Sequence, residues 1–293
     1  MCRTVAVGLD GSPESLAAAE WAADEAWARA IPLRLVHAGD QPLHDYAPFA
    51  GDPVAAPGTD RADQMVREVA AVLAHRRPGL RLRWARLDGS PAAALTDAAR
   101  EAALLVLGSR GPGRTAGYLL GSVASAVLAR AERPVVLVRD ATGACSDTGE
   151  TLLSPGTHRG VVCGLDLSDS QAETVLAFAC DMAARHRAVL RVVHGWDPST
   201  APDAGSEQEP HVGRAERLAE ALRPWRDKYP EVEVAEEAVV GTAGSHLVDA
   251  SRDAGLVVVG RRHRSARLGP HIGPVTHHVL RQAVPPVAVV PHD

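Results

Sequence analysis

Residues 104–128, LLVLGSRGPGRTAGYLLGSVASAVL, set five glycines between an apolar run and a helix-forming one. Glycines at this density clear side chains from a backbone whose N–H groups can then converge on anionic oxygens. Gly108 leaves the apolar run, Gly111, Gly113 and Gly117 keep the loop open, and Gly121-Ser122 starts the helix. The first N–H groups of a helix and the positive end of its dipole favour a phosphate. Ser122 adds a hydroxyl at the same place, and Arg110 and Arg114 can add charge-assisted bonds. Asp10, at the end of the run RTVAVGLD, offers a carboxylate to a ribose hydroxyl or to a divalent cation near phosphates. Two plainer readings stand beside these. A glycine-rich turn is often only a tight connection, and an Asp before a helix is often a cap.

Known phosphate motifs mostly fail. A P-loop needs Gly-Lys-Ser/Thr, and Lys228 is the only lysine in the chain. GPGRTA at 111–116 fits the dinucleotide glycine pattern, but it follows a late strand with no acidic residue ending a well-placed next one, so we count it as coincidence.

The elements that must position these groups are written twice. RTVAVGLDGSPES returns as RGVVCGLDLSDSQ, LRLVHAGD as LRVVHGWD, and LDGSPAAALTDAAREAALLVLG as VVGTAGSHLVDASRDAGLVVVG. RPVVLV returns as PPVAVV, in the same order and at an offset of 152 to 157 residues throughout. This is a tandem duplication. In the first copy, short apolar runs predict strands near 3–9, 33–37, 80–87, 104–108 and 135–138, with helices near 13–29, 60–76, 91–102 and 122–131. Ser12-Pro13-Glu14 is a helix start, and Ser168 with Gln171 has capping-box spacing in the second copy. Leu16, Ala19, Ala23, Ala26, Trp27 and Ala30 are expected to form the packing face of the first helix. Strand–helix alternation means an α/β fold, a parallel sheet covered on both sides. Ligands then sit beyond the carboxyl ends of the strands, where the opening stretch begins. Residues 39–58 and 195–210 read as long loops. The expected division is a first domain at 1–140, a linker at 141–158 and a second domain at 159–293.

A chain of 293 residues, 46% hydrophobic with a net charge of -5, is an ordinary globular sequence with no general attraction to nucleic acid or anionic membranes. Its four cysteines form no CxxC pair and read as free thiols. No apolar run approaches the length of a membrane span, and the N-terminal stretch lacks a signal-peptide core, so the expected address is the cytoplasm.

Asp10 after the first strand, with Gly108-x2-Gly111-x9-Gly121-Ser122 before the last helix, resembles the universal stress protein family. The spacing G-x2-G-x9-G-S/T is that family's ATP-binding signature, and the first copy matches it in full. The resemblance covers nearly the whole chain as two copies, like tandem members from actinobacteria. It implies, in each copy, an open five-stranded Rossmann-like sheet of order 3-2-1-4-5 (the HUP architecture), with ATP between strands 1 and 4. Family roles then fall on Gly8 and Asp10 for the nucleoside, with Asp10 meeting an ATP-bound Mg2+ or Mn2+. Gly108, Ser109, Arg110, Gly111, Gly113, Arg114, Gly121 and Ser122 would hold phosphates, and adenine would lie near Ala38. Ala103 stands where relatives often carry Asp, which we read as a surface difference. The resemblance implies an ATP-binding regulatory protein of stress responses acting on an unidentified protein partner. The alternatives are a weak ATPase or nucleotidyl-transfer enzyme and a nucleotide-free scaffold.

The second copy departs from the pattern. Gly164, Asp166, Gly260 and Gly273 persist, but His263 takes the second glycine position and Pro274 the Ser/Thr position. Pro274 has no N–H, and a Cβ at positive φ costs roughly 1–2 kcal/mol. Arg261, Arg262, Arg264 and Arg267 make that loop cationic. The expectation is a weaker ATP site, or one that selects another anion. HIG at 271–273 lacks the context of a nucleotidyl-transferase signature, and His263, His271, His277 and His278 lack metal-ligand spacing. The fifth strands, Val135–Val138 and Val287–Val290, each follow a proline and are expected to pair within the chain as a pseudo-dimer, with a homodimer as a further option.

Overall fold

The computed structural model describes residues 4–39, 58–109, 120–139, 160–167, 172–196, 211–262 and 272–292. The chain divides into two compact units, Met1–Gly149 and Glu150–Asp293. In the first, the elements run β1 (Thr4–Gly8), α1 (Pro13–Ala28), β2 (Leu33–Ala38), α2 (Gly58–Arg76), β3 (Leu82–Leu87), α3 (Pro91–Glu101), β4 (Ala102–Gly108), α4 (Ser122–Arg130) and β5 (Val135–Val138). In the second they run β6 (Gly160–Gly164), α5 (Ala172–His186), β7 (Leu190–Trp196), α6 (His211–Lys228), β8 (Val234–Val240), α7 (Ala243–Ala250), β9 (Ala254–Arg262), α8 (Pro274–Gln282) and β10 (Val287–His292).

Within the first unit the strands lie in the order β3-β2-β1-β4-β5, all parallel. Within the second the order is β8-β7-β6-β9-β10, again parallel. Both are the doubly wound order 3-2-1-4-5. The central strands are apolar without alternation because helices cover both faces. Val5, Ala6, Val7, Leu104, Leu105 and Val106 are fully buried accordingly.

Helix α1 begins as its sequence dictates. Ser12 is the N-cap and its Oγ accepts from the Ser15 N–H at 3.2 Å, with Pro13 in the first turn. Its buried side is Ala18, Ala19, Trp21, Ala22, Ala23 and Ala26. This corrects the expected face, because Trp27 is half exposed and Ala30 has left the helix at φ 52°. Small side chains pack the helix close to the sheet, and of its two tryptophans Trp21 is buried while Trp27 stands at the rim.

The two units differ where their fourth strands end. Strand β4 stops at Gly108, opposite Val138, and Ser109 is already in a bend. Strand β9 continues through Arg261 and Arg262, paired with Pro291 and His292 of β10.

Candidate functional site

The carboxyl ends of parallel strands lie together, and each following helix starts there. In the first unit this brings the N-termini of α1, α3 and α4 toward one end of the sheet, a surface of partial positive charge. Gly8 and Gly108 are the last residues of the adjacent strands β1 and β4. Both have packing reasons to be glycine. A Cβ at Gly8 would stand 2.7 Å from Leu107 Cδ2, and one at Gly108 would stand 2.9 Å from the backbone of Glu14 and Ser15. Gly108 therefore lets the α1 N-terminus close over the end of β4.

Asp10 follows β1 and is fixed by a local turn. Its Oδ1 accepts from the Ser12 N–H at 3.0 Å and from the Ser12 Oγ–H at 2.5 Å. Its backbone N–H reaches Ser15 Oγ at 3.4 Å. Among the described residues, Oδ2 has no hydrogen-bond donor. The plain reading of Asp10 as a turn residue thus holds for one oxygen and leaves the second for a ligand.

Ser109 is buried and ties both ends of the loop. Its N–H donates to Val138 O at 2.8 Å, and its carbonyl accepts from the Gly121 N–H at 2.9 Å. Gly121 is the N-cap of α4, with Ser122 exposed at the first helical position. Ala38 ends β2 opposite Leu87. The structure therefore gathers Gly8, Asp10, Ala38, Gly108, Ser109, Gly121 and Ser122 at one end of one sheet. Arg110, Gly111, Gly113 and Arg114 lie outside the described residues.

The second unit has a cavity of about 420 Å³ at the same end, within the roughly 300–1,000 Å³ of small-molecule sites. Gly164, Asp166, Gly260, Arg262 and Gly273 line it, joined by Thr276 and His292. Gly164 has the packing reason seen at Gly8, with Leu247 Cδ1 at 2.7 Å from a Cβ placed there. Among the described residues a Cβ at Gly273 would meet nothing within 4 Å, so their packing does not require glycine there. That bare backbone suits close approach by a ligand. Arg261 does not line the cavity with the others. It is buried in β9, and desolvation pulls its guanidinium below the ordinary value. His263, Arg264, Arg267 and the Ser168–Gln171 cap lie outside the described residues. Among the described residues, no group of three or more His, Cys, Asp or Glu side chains could hold a metal ion by itself.

Sequence reasoning missed four residues. Thr276 Oγ donates to Gly260 O at 2.8 Å, two residues past Pro274, so a hydroxyl near the helix start is retained but spent on the strand. His292 is buried, its Nε2 2.7 Å from where a Cβ at Gly260 would stand. His37 is buried, and its Nδ1–H donates to Leu9 O at 2.8 Å, anchoring the turn that carries Asp10. His194 makes the same bond to Leu165 O at 3.0 Å. The signal was present for this last pair, in the repeated VH of LRLVHAGD and LRVVHGWD.

Comparison with known proteins agrees with both frame and repeat. The profile of the Universal stress protein family matches residues 1–139 and again 158–291. Universal stress protein Rv2005c of Mycobacterium tuberculosis is 32% identical over 296 residues, covering 97% of this chain and 96% of that protein. A universal stress protein of Mycolicibacterium smegmatis is 31% identical over 300 residues, covering 98% and 96%. The crystal structure of a universal stress protein from Archaeoglobus fulgidus superposes with a TM-score of 0.72 at 16% identity, covering all of both chains. Among the described residues, no helix is long and apolar enough to cross a membrane.

Proposed function

This chain belongs to the universal stress protein family, and from that premise we propose that it is a nucleotide-binding regulatory protein whose first unit holds ATP. The observation that carries the reading is the convergence of Asp10, with one uncommitted carboxylate oxygen, and the α4 N-terminus with Ser122 at the ends of β1 and β4. Ser122 and the first N–H groups of α4 receive phosphate oxygens, Gly111 and Gly113 let the loop backbone approach them, and Arg110 and Arg114 offset their charge. Asp10 Oδ2 faces the ribose or an ATP-bound Mg2+ or Mn2+, whose chemistry is to neutralise phosphate charge. The adenine lies past Ala38.

The second unit binds nucleotide more weakly. Pro274 removes one N–H and one hydroxyl from the helix start, and the Thr276 hydroxyl is committed to Gly260 O. Its cavity and Arg262 still favour an anion.

The test is nucleotide released on denaturing freshly purified protein, followed by calorimetric titration with ATP. The expected result is adenine nucleotide at about one equivalent per chain and one tight site. Asp10→Ala combined with Gly111→Glu is expected to abolish it. A chain that neither carries nor binds nucleotide overturns the reading, and two equal sites overturn its asymmetry.

A further inference from the structure

The two units end in strands of opposite charge. Strand β3, LRWARL, carries Arg83 and Arg86 and no acid, while β8, VAEEAVV, carries Glu236 and Glu237 and no base. Among the described residues each is the terminal strand of its own sheet, paired only with β2 or β7. The outer side of each therefore presents N–H and C=O groups with no strand partner among the described residues, although on β8 Val234 O accepts from Arg226 at 3.3 Å and Val240 O from His246 Nε2 at 2.9 Å.

Neighbouring charges are mostly cancelled, and one on each strand is not. Arg34, opposite Arg83 on β2, is bonded to Glu101 of α3 at 2.7 Å. Glu236 is bonded to Arg226 of α6 at 3.0 Å. Arg83 and Glu237 are exposed, and neither has an ion-pair partner among the described residues.

Their faces also match. Arg83 shares the face of Arg34, which is the α3 side of its sheet. Glu236 faces α6, so Glu237, the next residue of the strand, points to the other side, where α7 is the repeat of α3. Turning one sheet by half a revolution in its own plane brings β8 beside β3, reverses the strand direction and keeps like faces together. Arg83 then shares a face with Glu237 of a second chain. Trp84 and Val240, 50% and 51% exposed, share the opposite face.

We infer that two copies of this chain associate edge to edge, β3 of one pairing antiparallel with β8 of the other. Charged edge residues usually keep strands apart. Here Arg opposes Arg in a β3–β3 pairing and Glu opposes Glu in a β8–β8 pairing, so the charges permit only the mixed one. The pairing is screened by salt because both charges are exposed.

Sedimentation velocity of the full chain over a range of protein concentrations, at low and high salt, tests this. Concentration-dependent association that weakens with salt is expected. Arg83→Glu and Glu237→Arg should each weaken it by roughly tenfold or more, since each replaces attraction with repulsion. The double variant R83E/E237R, with the charges exchanged, should restore association to within about threefold of the parent. An unchanged thermal midpoint in each variant separates loss of pairing from loss of fold. A single species at every concentration in low salt overturns the inference. So does association that Arg83→Glu leaves unchanged, or that the double variant fails to restore.

Discussion

The loop ends of β4 and β9 descend from one ancestor, yet they treat the same space differently. In the first unit the strand lets go at Gly108, and Ser109 joins the two ends of the loop through its own N–H and carbonyl. In the second unit the strand pair runs on through Arg261 and Arg262, and the helix start is tied back by Thr276 to Gly260. Frame and function have separated. Bonds that build the sheet are kept in both copies, as with His37 to Leu9 and His194 to Leu165, while groups that could meet a ligand have been exchanged.

The most severe way to break this contrast is to give the first unit the second unit's helix start. Ser122→Pro removes an N–H and a hydroxyl, and it should lower ATP affinity by roughly 10- to 100-fold in a calorimetric titration. The reciprocal Pro274→Ser should raise the stoichiometry above one per chain if the helix start limits the second site. A comparable effect on stability separates packing glycines from open ones. Gly108→Ala presses a Cβ against the α1 backbone at 2.9 Å and should cost about 1–3 kcal/mol in urea unfolding. Gly273→Ala meets no atom of the described residues within 4 Å and should stay within about 0.5 kcal/mol of the parent.

The histidine pair sharpens the comparison from the other side. His37→Ala and His194→Ala each leave a buried carbonyl without its donor, at about 1–3 kcal/mol. Their stability losses should match, and only His37→Ala should also weaken ATP binding.

The smallest effect is confined to alkaline pH. Burial pushes the Cys180 thiol from 9.0 to about 11, and desolvation raises Cys163 further. Folding keeps both thiols neutral, so their contribution is complete below pH 9 and falls as pH rises above it, through about 11 for Cys180 and beyond that for Cys163. The first unit has Val7 and Ala23 at the repeat-equivalent positions. Thermal melts between pH 8 and 11 should therefore show the second unit weakening more, and Cys163→Val with Cys180→Ala should flatten that slope.

The frame was legible because its strands are uninterrupted apolar runs. Leu104–Leu107 or Val257–Val259 allow little but a strand buried on both faces. The ends of β9 and β10 were not legible. Arg261, Arg262, Pro291 and His292 carry no strand propensity, and they are strand only because each pair continues a register set earlier. Gly8 and Gly108 were conspicuous in the sequence for a ligand's sake, whereas their close contacts are with Leu107 and with α1. A single letter does not say whether a missing Cβ makes room for a helix or for a phosphate. Thr276 escaped notice because a hydroxyl's worth depends on what it donates to, and that carbonyl lies sixteen positions away.

The two added rungs of β9 and β10 have a consequence for reach. Two residues of strand project the anchored backbone roughly 6–7 Å farther beyond the sheet. The connection from strand to helix shortens only from residues 109–121 to residues 263–273, a change in closure entropy on the order of 0.1 kcal/mol. The second unit thus gains paired backbone past the sheet at almost no loss of chain freedom. Duplication therefore left two strand ends of unequal reach on the same frame, and the longer one carries Arg262 and His292 into the wall of a cavity.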